Sequence, residues 1–143
     1  MMLTAPATTH LFSNLKVPDG MHKTCHDGHW ARVRDITRYQ MEALSAFLDA
    51  FNRVEANGAP LIDRGLIYAT SEYGEGWKHS VAELPVLIAG GARGALRQGV
   101  HVRSPGGNLA VAQLTALRAL GLSDERFGWS GAESSDTFGE LFT

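Results

Sequence analysis

An α/β fold, a small mostly parallel sheet flanked by helices, is what this sequence predicts, and three observations carry the prediction. The stretch from residue 30 to about 55 has apolar residues at helical spacing. Two short runs, residues 65–70 and 84–89, are continuously apolar rather than alternating, the pattern of strands covered on both faces. The elements then follow the order helix, strand, loop, strand, strand, helix, as an α/β chain does. With 143 residues, 44% hydrophobic and 20% charged, the chain has the size and composition of a globular domain. We therefore expect a single α/β domain over residues 1–143, with residues 1–21 as an N-terminal arm and 123–143 as a C-terminal tail.

Each element has a local reason. The arm is polar and punctuated by Pro6, Pro18 and Asp19-Gly20, which predicts a loosely held segment with a turn. Val33, Thr37, Met41, Leu44, Leu48 and Phe51 recur at threes and fours and predict the inward stripe of the long helix. Asp27 or Gly28 suits its start, and Asn57-Gly58 followed by Pro60 stops it. Residues 65–70 have the β-branched and aromatic content of a buried strand. Residues 71–76 follow as a glycine-punctuated loop, and 84–89 form a second strand ending in Gly90-Gly91. Residues 99–103 suggest a third, edge strand. A second helix fits residues 108–120, with Val111, Leu114, Leu117 and Leu120 inward and Gly121 ending it. The tail carries Phe127, Trp129, Phe138 and Phe142, which predicts an ordered strap that frays at its end.

Composition narrows the function classes. A formal charge of -2 gives no electrostatic footprint for nucleic acid, and no polybasic run points to a membrane surface. No apolar run approaches the roughly 18 residues of a membrane span. Cys25 is the single cysteine, so no internal disulfide scaffold forms and the compartment stays open. Residues 1–9 lack the basic start and apolar core of a signal peptide. Gly90-Gly91-x-x-Gly94 invites a phosphate-loop reading but lacks the Gly-Lys-Ser/Thr ending, so turn geometry is expected there. Arg93, Arg97 and Arg103 lie near that segment and are expected to be ordinary exposed arginines.

The chemistry concentrates in His22-Lys23-Thr24-Cys25-His26-Asp27-Gly28-His29. Neutral imidazole is a metal ligand near pH 7, and histidines at i and i+4 share one side of a helical turn. His22 and His26 can thus face one ion, but two ligands do not hold a metal and a third must come from elsewhere.

Three pieces align with that need: His22-x-x-x-His26, then Ser71-Glu72-Tyr73-Gly74, then His79. The first piece, His22-Lys23-Thr24-Cys25-His26-Asp27, resembles the motif of a bacterial family of unknown function named for H-x-x-S-H-H. That family looks related to the alkaline-phosphatase and sulfatase superfamily. A longer similarity runs through His79-Ser80-x-x-x-Leu84-Pro85-x-Leu87-x-Ala89-Gly90-Gly91-Ala92-x-Gly94-x-Leu96. It continues in Gly99-Val100-His101, Pro105-Gly106-Gly107, Leu120-Gly121 and Arg126-Phe127-Gly128.

The resemblance implies that His22, His26 and His79 hold one divalent transition metal, zinc foremost, and that Glu72 holds a second. Two ions about 3.5–4 Å apart stabilise both the attacking and the leaving oxygens of an ester. It also implies export and a fold like the C-terminal part of an alkaline-phosphatase-like hydrolase. The departures are Cys25 in place of Ser, Asp27 in place of the last His, and Tyr73 where the active enzymes carry a metal-binding His. No strand in residues 1–21 supplies a nucleophile, so this chain is expected not to catalyse by itself. A homo-oligomer, or a chain that needs an N-terminal half, is expected with it. The alternative is a non-catalytic α/β assembly module whose histidines serve structure. His29 and His101 are read as structural, and His10 receives no role.

Overall fold

The structure is a computed structural model that describes residues 3, 5 and 7–143. Met1 and Pro6, part of the N-terminal reading, lie outside the described residues. In chain order the elements are α1 (Met21–His26), α2 (Trp30–Arg53), β1 (Glu55–Ala56), β2 (Ala59–Pro60), α3 (Leu61–Arg64), β3 (Ile67–Thr70), β4 (Val86–Ala89) and α4 (Leu109–Ala119), joined by loops and 3-10 turns.

The architecture is α+β, which corrects the α/β expectation. In place of a mostly parallel sheet flanked by helices there are two antiparallel two-stranded sheets, β1–β2 and β3–β4. The physical reason lies in the 71–85 connection. A parallel return needs a crossover, normally a helix. This segment contains only a 3-10 turn at Gly76–Lys78 and a bridge between Glu75 and Ser80. β4 therefore comes back antiparallel, pairing Ile67 with Ala89 and Thr70 with Val86. The apolar runs do not mean double coverage either, since Leu87 remains 43% exposed. Antiparallel pairs tolerate one open face. Residues 99–103 form no strand.

Two compact units are present, Met1–Ala50 with Glu72–Glu83 and Phe51–Ser71 with Leu84–Thr143. In the first, Phe12 and Val17 are buried with Ile36 of α2, and Leu15 and Met21 pack around them. Burial of each such side chain is worth roughly 1.5–3 kcal/mol. Residues 12–21 of the arm are thus held rather than loose, and Phe12 meets the rings of His10 and Tyr39 edge-on. The inward line of α2 is rotated from the predicted stripe: Ile36 and Leu44 are buried, whereas Met41 is 50% exposed. Gly28 serves α1, not α2. With φ +70 it follows the helix end, its N–H bonds Cys25 O, and His29 N–H bonds Thr24 O. This is the paired arrangement of a left-handed C-terminal cap. The carbonyl of His29 then accepts from Val33 and opens α2.

In the second unit Asn57 and Gly58 both take positive φ and turn β1 into β2, the geometry a two-residue hairpin demands. Gly90 and Gly91 pass against α3: an added Cβ would stand 2.5 Å from Gly65 O and 2.9 Å from Asp63 O respectively. Backbone bonds from Gly91 to Ile62 and from Ala92 to Gly65 close this packing, so the segment is a turn as expected. Asn108 caps α4 by accepting from Ala110 N–H at 2.9 Å, and Gly121 ends it. Leu114 and Thr115 are fully buried, while Leu120 is exposed. The C-terminal end is paired: Arg97 N–H donates to Leu141 O, Thr143 N–H to Ala95 O, and Phe142 packs with Ala92, Leu96 and Ala119.

Candidate metal centre

The site is built within the first unit from one short helix and one tight loop. Thr24 and Cys25 form the buried side of α1, with Thr24 Oγ1 donating to Gly20 O at 2.9 Å. Gly20 is required at that start, because an added Cβ would fall 2.4 Å from Thr8 O. With that side inward, His22 and His26 emerge together, ring centroids 4.6 Å apart, His22 half-buried and His26 exposed.

The loop carrying His79 is closed by its backbone. Gly74 N–H donates to Ser80 O at 2.9 Å and Ser80 N–H to Glu75 O at 3.1 Å. A Cβ on Gly74 would overlap Ala82 O at 1.9 Å, so only glycine fits there. Gly76 lets the 3-10 turn approach α1: its Cβ position lies 3.3 Å from Cys25 Sγ. Glu75 accepts from Trp77 Nε1 and pairs with Lys78 at 3.1 Å, while Lys78 stands 4.8 Å from the centre of the Trp77 ring. These contacts hold the Glu75 carboxyl below its usual range, first through the Trp77 hydrogen bond and then through Lys78. The turn delivers His79 with φ 52, ψ 35, in the left-handed region.

The three predicted histidines meet. Ligand-capable atoms of His22, His26 and His79 all lie within 4.8 Å of one another. His26 Nε2 and His79 Nε2 are 3.1 Å apart, one donating and the other accepting. His79 also stacks on His22 at 5.3 Å and on Tyr73 at 5.0 Å. Zinc–nitrogen bonds of roughly 2.0–2.1 Å in a tetrahedron separate ligand atoms by roughly 3.3 Å. The His26–His79 pair, at 3.1 Å, is near that spacing, and His22 offers a ligand atom within 4.8 Å of both. The donor set therefore fits a metal ion.

Glu72, the fourth expected ligand, does not join, and the remaining motif residues and histidines also stand outside the cluster. Glu72 is exposed and is not among the converging groups, so no carboxylate completes the cluster among the described residues. Cys25 is buried against Gly76, and burial pushes its thiol up, which disfavours the thiolate that a metal would need. Asp27 is engaged by Lys23, whose hydrogen bond holds its carboxyl below the usual range. Tyr73 contributes a ring face to His79 rather than a ligand. His29 and His101 are exposed and His10 packs on Phe12, all outside the cluster.

Sequence reasoning missed the supports. Trp77, Lys78 and Glu75 brace the His79 turn, and their only advance sign was the i,i+3 spacing of Glu75 and Lys78. Trp30 meets Trp77 edge-on at 6.3 Å, with no sequence signal at all. No helix among the described residues is long and apolar enough to cross a membrane. Comparison with family models, curated proteins and solved structures finds no match.

Proposed function

We propose that this chain binds one divalent transition metal, zinc foremost, through His22, His26 and His79. We propose further that it is the metal-holding part of a hydrolase resembling the alkaline-phosphatase and sulfatase superfamily, without turnover of its own. The observation that supports this is the convergence of the three imidazoles within 4.8 Å. Three neutral nitrogens leave the charge of the ion uncompensated and one tetrahedral position open, the arrangement of catalytic rather than structural zinc. Bound there, zinc would act as a Lewis acid toward an oxygen ligand. Since Glu72 stays out of the cluster, a second ion has no ligand set among the described residues.

Protein purified without a His-tag should carry about one equivalent of transition metal, sharply reduced by His22→Ala or His79→Ala. Aryl phosphate and sulfate esters should not be turned over by the chain alone. Metal-free protein that takes up no zinc contradicts the binding claim. Metal-dependent turnover abolished by His26→Ala contradicts the non-catalytic claim.

The 3.1 Å His26–His79 hydrogen bond favours a second reading, in which the histidines only pack and the chain is a non-catalytic assembly module. That reading predicts unchanged stability on adding zinc, whereas the first predicts a rise set by ligand linkage, about 2.7 kcal/mol at a hundredfold excess over Kd. A homo-oligomer accompanies the proposal in either reading.

A further inference from the structure

We infer that the groove between the start of α4 and the 126–132 loop binds a small aromatic molecule carrying one oxyanion group. The groove is open to solvent and offers about 690 Å³, with Leu109, Gln113, Arg126, Phe127 and Trp129 among its lining residues. Such a volume is ordinary for a small-molecule site. None of the lining residues is acidic.

Three further observations converge on a ligand of this class. Trp129 is 81% exposed and makes no ring contact or indole hydrogen bond among the described residues. Its large apolar surface is therefore held out of the core by the loop that carries it. Arg126 likewise has no ion pair or side-chain hydrogen bond among the described residues. A guanidinium presents a planar fork of donors that matches carboxylate and related oxyanions, and aromatic rings stack on aromatic rings.

The loop is also formed in advance of any ligand. Phe127 and Ser134 exchange backbone hydrogen bonds at 3.0 and 2.9 Å, and Asn108 Nδ2 donates to Ala132 O at 2.8 Å. Gly128, at φ +99, permits the turn, because a Cβ there would meet Ala132 O at 2.4 Å. The Glu133 carboxylate accepts from Gly131 N–H at 2.9 Å. An aromatic ring against Trp129 and Phe127, with its oxyanion on Arg126, uses each of these groups. Gln113 adds an amide within the same groove.

The test is a titration of the full chain with 2-naphthoate and with uncharged 2-naphthamide, followed through the backbone amide resonances of Ala110 and Gln113. We expect saturable shifts with 2-naphthoate and at least tenfold weaker binding of 2-naphthamide. Arg126→Gln should remove that difference, and Trp129→Ala should weaken both probes at least tenfold; both side chains are exposed, so neither change disturbs the core. Absence of saturable shifts with 2-naphthoate overturns the inference, as does equal binding of the two probes. The two-probe comparison on the unaltered chain decides the matter without any variant.

Discussion

His79 carries the tension of the site in its own backbone. At φ 52 a non-glycine residue costs roughly 1–2 kcal/mol, and such strain collects where a side chain must be aimed. His79→Gly should therefore be more stable than His79→Ala by about 1 kcal/mol in denaturant unfolding, with both unable to complete the metal cluster. Equal stabilities would show that the left-handed conformation is not retained in solution. Cys25 makes a separate prediction. Its raised pKa leaves stability unaffected below the ordinary thiol value of 9.0. Stability then falls as the pH rises further, because the unfolded thiol ionises while the folded one does not. Native Cys25 should accordingly react with iodoacetamide far more slowly at pH 8 than in denaturant. His22 and His26 were legible from their spacing alone. His79 was legible only through resemblance, because its position depends on Gly74 and Gly76, whose tolerances are set by Ala82 and Cys25 rather than by their own neighbours in sequence.

The two long helices were the legible elements, since each is specified by residues close in the chain. α2 and α4 fall within a residue or two of their predicted bounds, and Asn108 and Gly121 mark α4 at both ends. Asn108→Ala should cost about 1 kcal/mol in thermal unfolding by leaving the Ala110 N–H without its cap. No loss would mean that the cap is replaced by solvent. Asn57-Gly58 was read only as the stop of α2, and its positive φ values show that it also turns a two-residue hairpin between β1 and β2. The Met41 stripe misled because its neighbours on the inward line include Gln40, a residue that an apolar pattern passes over. Within β3, Tyr68 has a buried hydroxyl with no hydrogen-bond partner, and burial pushes its pKa up. Removing an unsatisfied buried group relieves its desolvation cost, so Tyr68→Phe should leave stability equal or raise it by about 1 kcal/mol. A clear loss on the same change would place a partner at that hydroxyl.

Across the whole molecule, what was least legible was strand direction. Continuous apolar runs describe what a strand is made of and not which way its partner runs, and the 71–85 connection lacks the helix a parallel crossover requires. Among the described residues the β3–β4 sheet has two strands, with Val86 and Leu87 exposed, so its edges are open to a partner. Light scattering at tens of micromolar, a range chosen around ordinary transient affinities, should give a dimer mass rather than a monomer. The proposed ion would join α1 to the 72–80 loop, tying residues far apart in sequence at one point of the first unit. That claim is tested most directly by the imidazole nitrogen resonances of the six histidines during a zinc titration of the metal-free chain. The account predicts that His22, His26 and His79 shift together and saturate at one equivalent, while His10, His29 and His101 stay in place. A titration in which His79 does not move with His22 and His26 would contradict it.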